Sequence, residues 1–157
     1  MVKRIQHAGR DTLLGVTKAL AASTVKVGYS QDDGIHQDSG MTYAELMYLQ
    51  EVKGVRSKDG LVRRRAFEVT SRMHSKQIIN KLQKKIVQQY RSGNRDASFS
   101  LDVFGEELKD KIKRTMGDPS LLPSNAPITI KLKGGRNQPL VDTGALKDKL
   151  SYRVTAK

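Results

Sequence analysis

The sequence predicts an α+β domain: a small mixed or antiparallel β-sheet covered by a long helix and several shorter helices, with a further helix at the N-terminus. Three observations lead there. Strand-like alternation occurs near both ends, at Val25-Lys26-Val27-Gly28-Tyr29 and at Tyr152-Arg153-Val154. Between them, apolar residues recur at helical spacing over about 66–90 and again over about 104–116. The chain has 157 residues, 37% of them apolar and 29% charged, which suits one folded domain over 1–157 and excludes a disordered or collagen-like chain.

The elements follow in order. Residues 4–22 read as a helix, with Ile5, Thr12, Val16 and Leu20 near one stripe and Ala8 and Leu13 beside it. Gly9 and Gly15 weaken it by about 1 kcal/mol each against Ala, so partners would help to order it. The strand at 25–29 comes next. Gln31 to Gly40, with Asp32, Asp33, His36 and Asp38, reads as a solvated loop, because the spacing matches no ordered cation-binding pattern. Thr42-Tyr43-Ala44-Glu45 is a capping box, and Met41 and Leu46 stand where a hydrophobic staple would. A helix should start at Thr42 and stop near Gly54.

Residues 55–65 read as a hairpin or extended loop carrying a dense basic group: Arg56, Lys58, Arg63, Arg64 and Arg65. A long helix should run from Ala66 to Tyr90. Its apolar stripe is Phe67, Val69, Met73, Ile79, Leu82, Ile86 and Tyr90, with Lys76, Lys81, Lys84 and Lys85 on other faces. Arg91 to Ser100 reads as a loop. The next helix spans Phe104 to Met116, with Leu108, Ile112 and Met116 spaced by four, acidic residues at its start and basic ones at its end. Gly117 and Pro119 should stop it. Pro119 to Pro127 resembles a linker. Thr129-Ile130-Lys131-Leu132-Lys133 alternates like a strand, and Gly134-Gly135 like a turn. Pro139-Leu140-Val141-Asp142-Thr143-Gly144-Ala145-Leu146 reads as a loop entering a short helix that Asp142 caps, with Val141 packing on Leu146.

Charge narrows the chemistry. The net charge is +13, and residues 56–95 alone carry 12 basic against 2 acidic side chains. Such a field attracts polyanions: nucleic acid, an acidic protein ring or membrane phosphates. There is no Cys, which excludes disulfide scaffolds and thiolate chemistry. No run is long and apolar enough to span a membrane, and the N-terminus does not read as a cleaved signal peptide, so the expectation is a cytoplasmic protein with no membrane contact.

His7, His36 and His74 have no spaced partner for a metal, and no serine sits in a nucleophile elbow. Asp142-Thr143-Gly144 superficially suggests an aspartyl-protease turn, but its flanks explain it as a helix cap. The expectation is therefore no enzyme, no cofactor, no metal and no catalytic residue. Aromatic residues are 5% with no Trp, so stacking platforms for single strands are scarce. The lysines of the long helix would hold phosphates without reading sequence.

The closing segment carries a resemblance. Pro127-Ile128-Thr129-Ile130-Lys131-Leu132-Lys133-Gly134, then Pro139-Leu140-Val141-Asp142-Thr143-Gly144-Ala145-Leu146, then Ser151-Tyr152-Arg153-Val154 resembles the ending of the tail-completion, or neck, proteins of long-tailed bacteriophages. Val25-Lys26-Val27-Gly28 is similar to their first strand, the Thr42–Glu51 segment to their next helix, and Phe104-Gly105-Glu106-Glu107-Leu108 to a later one. The order holds from about residue 23 to 154. Two departures stand out: Val62-Arg63-Arg64-Arg65-Ala66-Phe67 lacks the prolines usual there, and Glu51-Val52-Lys53-Gly54 replaces Glu-Phe-Gly.

The resemblance implies a non-enzymatic virion protein, present in the host cytoplasm during assembly. It implies a homo-oligomeric ring, hexamer or dodecamer, whose partners are the head connector or stopper and the tail terminator or tube proteins, with possible contact to the genome end. The basic group at Arg56, Lys58 and Arg63–Arg65 would meet acidic groups there. The competing readings are a sequence-nonspecific nucleic-acid-binding module and an antitoxin-like regulatory protein.

Overall fold

The computed structural model describes residues 15, 17–58, 60–93 and 97–156. Most of the predicted N-terminal helix lies outside them; residues 15 and 17–21 are helical. The chain is α+β, with two small antiparallel sheets, one long helix and several shorter ones. In order, the elements are β1 (Ser23–Gly28), α1 (Tyr43–Tyr48), β2 (Val55–Ser57), β3 (Gly60–Val62), α2 (Ala66–Arg91), α3 (Ala97–Thr115), α4 (Pro127–Leu132), α5 (Ala145–Asp148) and β4 (Ser151–Ala156). β1 pairs with β4, and β2 with β3.

The chain forms two compact units. One holds the described chain up to Lys26 with Lys76–Glu107 and the strand from Tyr152; the other holds Val27–Ser75 and Leu108–Ser151. In the first, α2 and α3 meet through an ion pair of Lys81 with Glu107 at 2.6 Å and a hydrogen bond between the side chains of Gln89 and Ser100. Ile78 and Leu101 are buried there. Gly105 faces the Tyr152 ring so closely that a Cβ would lie 2.8 Å from Cγ.

The second unit has the larger apolar core: Tyr43, Met47, Ala66, Ile112, Met116, Leu122, Leu146 and Leu150. Inside it, the hydroxyls of Thr70 and Thr115 lie 2.7 Å apart, and each is also within reach of a helical carbonyl, Ala66 O or Lys111 O. Both residues are buried, so this mutual satisfaction is what makes two hydroxyls tolerable in an apolar site.

The capping box forms as expected. Glu45 N donates to Thr42 Oγ1 at 3.2 Å, and the Glu45 carboxylate accepts from Thr42 N at 2.9 Å and from Thr42 Oγ1 at 2.8 Å; these two accepted bonds hold the Glu45 pKa below the usual range. After Tyr48 the helix widens into a π-turn over Leu49–Lys53 and ends at Gly54. Gly54 has φ +85, and a Cβ there would lie 2.9 Å from side-chain carbons of Leu61 and Arg63, so only glycine closes this turn. The turn also delivers Glu51 to the start of α2, where its carboxylate accepts from Phe67 N at 3.3 Å and Glu68 N at 2.9 Å.

Four expectations need correction. Thr129–Lys133 is not a strand: α4 runs over Pro127–Leu132, with Ile130 N bonded to Ala126 O and Lys133 N to Thr129 O. Proline at the first turn presets φ for a helix, and the alternation reports no buried face, since Leu132 is 82% exposed. Second, α3 begins at Ala97, inside the expected loop, because Ser100 and Leu101 pack as buried helical residues. Third, the α2 stripe holds only in part: Phe67, Val69, Leu82, Ile86 and Tyr90 are half-buried as expected, but Met73 and Ile79 are exposed and Ile78 is buried instead. Fourth, Asp142 does not cap α5. Gly144, with φ +93, stands directly before the helix, and Thr143 Oγ1 accepts from Ala145 N at 3.3 Å.

Tyr29 ties the start of the second unit to its end. Its hydroxyl donates to Leu146 O at 2.7 Å, its ring stacks on Tyr43, and burial, with a smaller effect from the Asp33 charge, pushes its pKa far up. A folded-state pKa above the unfolded one, about 10 for tyrosine, gives stability that is complete below that pH and is lost as pH rises beyond it. The unfolding free energy should therefore decline above about pH 10. In Tyr29→Phe the decline should be shallower, and the protein less stable by about 1 kcal/mol at neutral pH for the lost hydrogen bond. Denaturant unfolding at stepped pH checks this; equal slopes for both proteins would refute it.

Candidate functional site

The basic group predicted as an interaction surface lies on the β2–β3 hairpin and the segment after it. The register pairs Val55 with Val62, Arg56 with Leu61 and Ser57 with Gly60. Alternation then sorts the faces. Val55 and Val62 are half-buried, while Arg56 and Leu61 are exposed together, Leu61 by 57%. Lys58 at the tip and Arg63 after β3 are also exposed.

Arg64 and Arg65 are different. Arg64 Nε donates to Pro123 O at 3.2 Å, Nη2 to Ser124 O at 3.2 Å and Asn125 Oδ1 at 3.5 Å, and Nη1 to Gln50 Oε1 at 3.4 Å. Its backbone N–H also bonds Gln50 O at 2.9 Å. Burial lowers its pKa. Arg64 is thus an internal clamp between the hairpin and the 123–125 segment. Arg65 pairs with Glu68 at 2.7 Å on the first turn of α2. The five basic residues expected to act together therefore divide into three that face solvent and two already engaged by their own chain.

The closing motif forms one wall of a cleft in the second unit, of about 190 Å³. Pro139 is fully buried and Leu146 belongs to the core. Leu140 has φ +61, a left-handed conformation costly for a branched residue. Val141 O accepts from Lys133 Nζ at 2.6 Å, and Asp142 Oδ1 stands 3.8 Å from the same nitrogen. Thr143 and Gly144 complete this wall, and His36, Gln50, Arg64 and Asn125 line the rest. Thr42 and Glu45, by contrast, serve α1 as its cap.

Sequence reasoning missed Gln50, Glu51, Asn125 and Lys133. None carries a local signal: each acquires its place from a partner 8 to 61 positions away in the chain. Among the described residues, no group of three His, Asp or Glu side chains is placed to hold a metal ion, and no helix is long and apolar enough to cross a membrane. No known protein family, no curated protein and no solved structure matches this chain.

Proposed function

We propose that the chain is a structural, non-enzymatic subunit of the neck of a long-tailed bacteriophage, forming a homo-oligomeric ring that completes the tail and joins it to the head connector. The order of the motifs from residue 23 to 154, closing on Pro139–Leu146, supports this reading. One structural observation carries it furthest: the β2–β3 ribbon. Two strands of three residues are marginal alone in water. Here their outer face sets Arg56 opposite the exposed Leu61, with Lys58 and Arg63 at either end. An apolar contact rimmed by cations fits an acidic patch on a neighbouring subunit or ring, the heterologous geometry from which closed rings are built.

The test replaces the three solvent-facing residues together, Arg56→Glu, Lys58→Glu and Arg63→Glu. Arg64 and Arg65 are left alone, because they are engaged internally. Exposed charges away from fixed partners change stability by only about 0.5 kcal/mol each, so the variant should fold. It should nevertheless fail to join heads to tails, and electron microscopy should show filled heads apart from unattached tails. Infectious particles at the normal yield would overturn the proposal.

The exposed Lys76, Lys84 and Lys85 on α2 favour a second reading, sequence-nonspecific nucleic-acid binding. That reading requires affinity for DNA that falls linearly in log salt. A ring subunit needs no such affinity as a monomer.

A further inference from the structure

The cleft behind the closing motif holds more positive charge and more hydrogen-bond donors than the chain itself satisfies. Arg64 is half-buried, and its contacts above are all to neutral acceptors, three of them longer than 3.1 Å and one at the limit of a hydrogen bond. A guanidinium has five N–H groups, so at least one on Nη1 is left over. The Lys133 side chain is only 14% exposed; it spends one N–H on Val141 O, and its nearest carboxylate, Asp142, is 3.8 Å away and largely in solvent. Asn125 is 9% exposed, and its Nδ2 is buried with no hydrogen-bond partner. Arg64 accounts for the amide's orientation: a guanidinium is donor-only, so the Asn125 oxygen faces it and the nitrogen is left unpaired. A buried donor without an acceptor is costly in a folded chain.

We propose that this cleft is a binding site for a single carboxylate group, held by Arg64, Lys133 and the Asn125 amide. The charge count favours a carboxylate over a phosphate. Two cations against one Asp142 leave one positive charge, which one carboxylate neutralises; a phosphate monoester brings roughly −1.5 to −2. Size agrees: about 190 Å³ admits an acetate or an aspartate side chain, whereas pockets for drug-sized ligands start at about 300 Å³. The Asp142 carboxylate opposes an incoming anion, so it sets an upper limit on affinity and gives a sign to test. Asn125 Nδ2 has to turn towards the cleft to donate, and the 3.5 Å contact that holds its oxygen is weak enough to allow this. This inference rests on the cleft alone and stands or falls apart from the neck reading.

The experiment is a titration of the full chain at low salt, followed by the side-chain amide signal of Asn125 and the Nε–H signal of Arg64 in proton–nitrogen NMR. The probes are sodium acetate, an aspartate residue blocked at both ends, and inorganic phosphate, with sodium chloride as the ionic control. Acetate should shift both signals saturably, chloride should not, and phosphate at neutral pH should bind more weakly. If the blocked aspartate also binds, the natural ligand is a side chain of another protein or copy; if only acetate binds, it is a free small carboxylate.

Asn125→Ala should weaken acetate binding by about tenfold, as loss of a hydrogen bond to a charged group predicts. Asp142→Asn should strengthen it. Lys133→Met provides a second weakening variant should Asn125→Ala fold poorly. Absence of saturable shifts, tighter binding of phosphate than of acetate, or unchanged affinity in Asn125→Ala and Lys133→Met would overturn the proposal.

Discussion

Gly105→Ala should destabilise the protein by about 2 kcal/mol, although helix propensity alone predicts a gain of about 1 kcal/mol for the same change. Gly105 lies inside α3 with ordinary helical geometry, so it needs no glycine for its backbone. Its constraint is the Tyr152 ring on β4. A Cβ at 105 would stand 2.8 Å from both Cγ and Cε2 of that ring. Cγ is attached directly to the tyrosine's own Cβ, so the ring cannot escape by swinging its far end. It has to change χ1, or the strand has to move away from the helix. Overpacking of this kind costs about 1–3 kcal/mol. For a chain of this length the midpoint of thermal unfolding should fall by about 4–8 °C. A double-mutant cycle isolates the cause. In a Tyr152→Ala background the ring is gone, and Gly105→Ala should become neutral or stabilising. If Gly105→Ala is equally harmful in both backgrounds, the clash is not its origin.

That contact also marks where the sequence stops being informative. Phe104-Gly105 was legible as part of a helix, because Leu108, Ile112 and Met116 recur every four residues and all lie in or against the core. Nothing local says that Tyr152, 47 positions later, comes to rest on the glycine. The same division runs through the molecule. Thr42 and Glu45 are three positions apart, and their reciprocal cap was readable because both partners belong to one turn. Glu51 caps a helix 16 and 17 residues further on, and that depends on a π-turn no propensity announces. The alternation of Thr129–Lys133 was a true pattern with a false meaning. With Ile128 and Leu132 both exposed, no buried face enforces a strand, and Pro127 starts a helix instead. In the candidate site the basic composition of 56–65 was visible from residue types alone. Its division into solvent-facing and internally engaged arginines was not, because it is decided by carbonyls at 123 and 124.

Arg64→Ala should cost about 2–3 kcal/mol, which sets it apart from its neighbours in sequence. Three consecutive arginines are equivalent on paper. Arg63 is exposed, and Arg65 makes a surface pair with Glu68, three residues on, of a kind worth about 0.3–0.5 kcal/mol. Arg64 alone spans from Gln50 to Pro123, Ser124 and Asn125. Removing it leaves the Gln50 and Asn125 amide oxygens without their donor in a partly buried setting, and breaks the tie to the more exposed carbonyls of Pro123 and Ser124. Lysine should recover little, because one ammonium cannot reach acceptors arranged around a planar fork. The midpoint of thermal unfolding should drop by about 4–12 °C in Arg64→Ala and by nearly as much in Arg64→Lys, while Arg63→Ala and Arg65→Ala stay within about 2 °C of the parent. Glutamate at 64 should be worst, since it turns a carboxylate towards those carbonyl oxygens. Comparable melting of the three single alanine variants would show that the clamp carries no particular share of stability. It would also return Arg64 to the solvent-facing group as a candidate for contact with a partner.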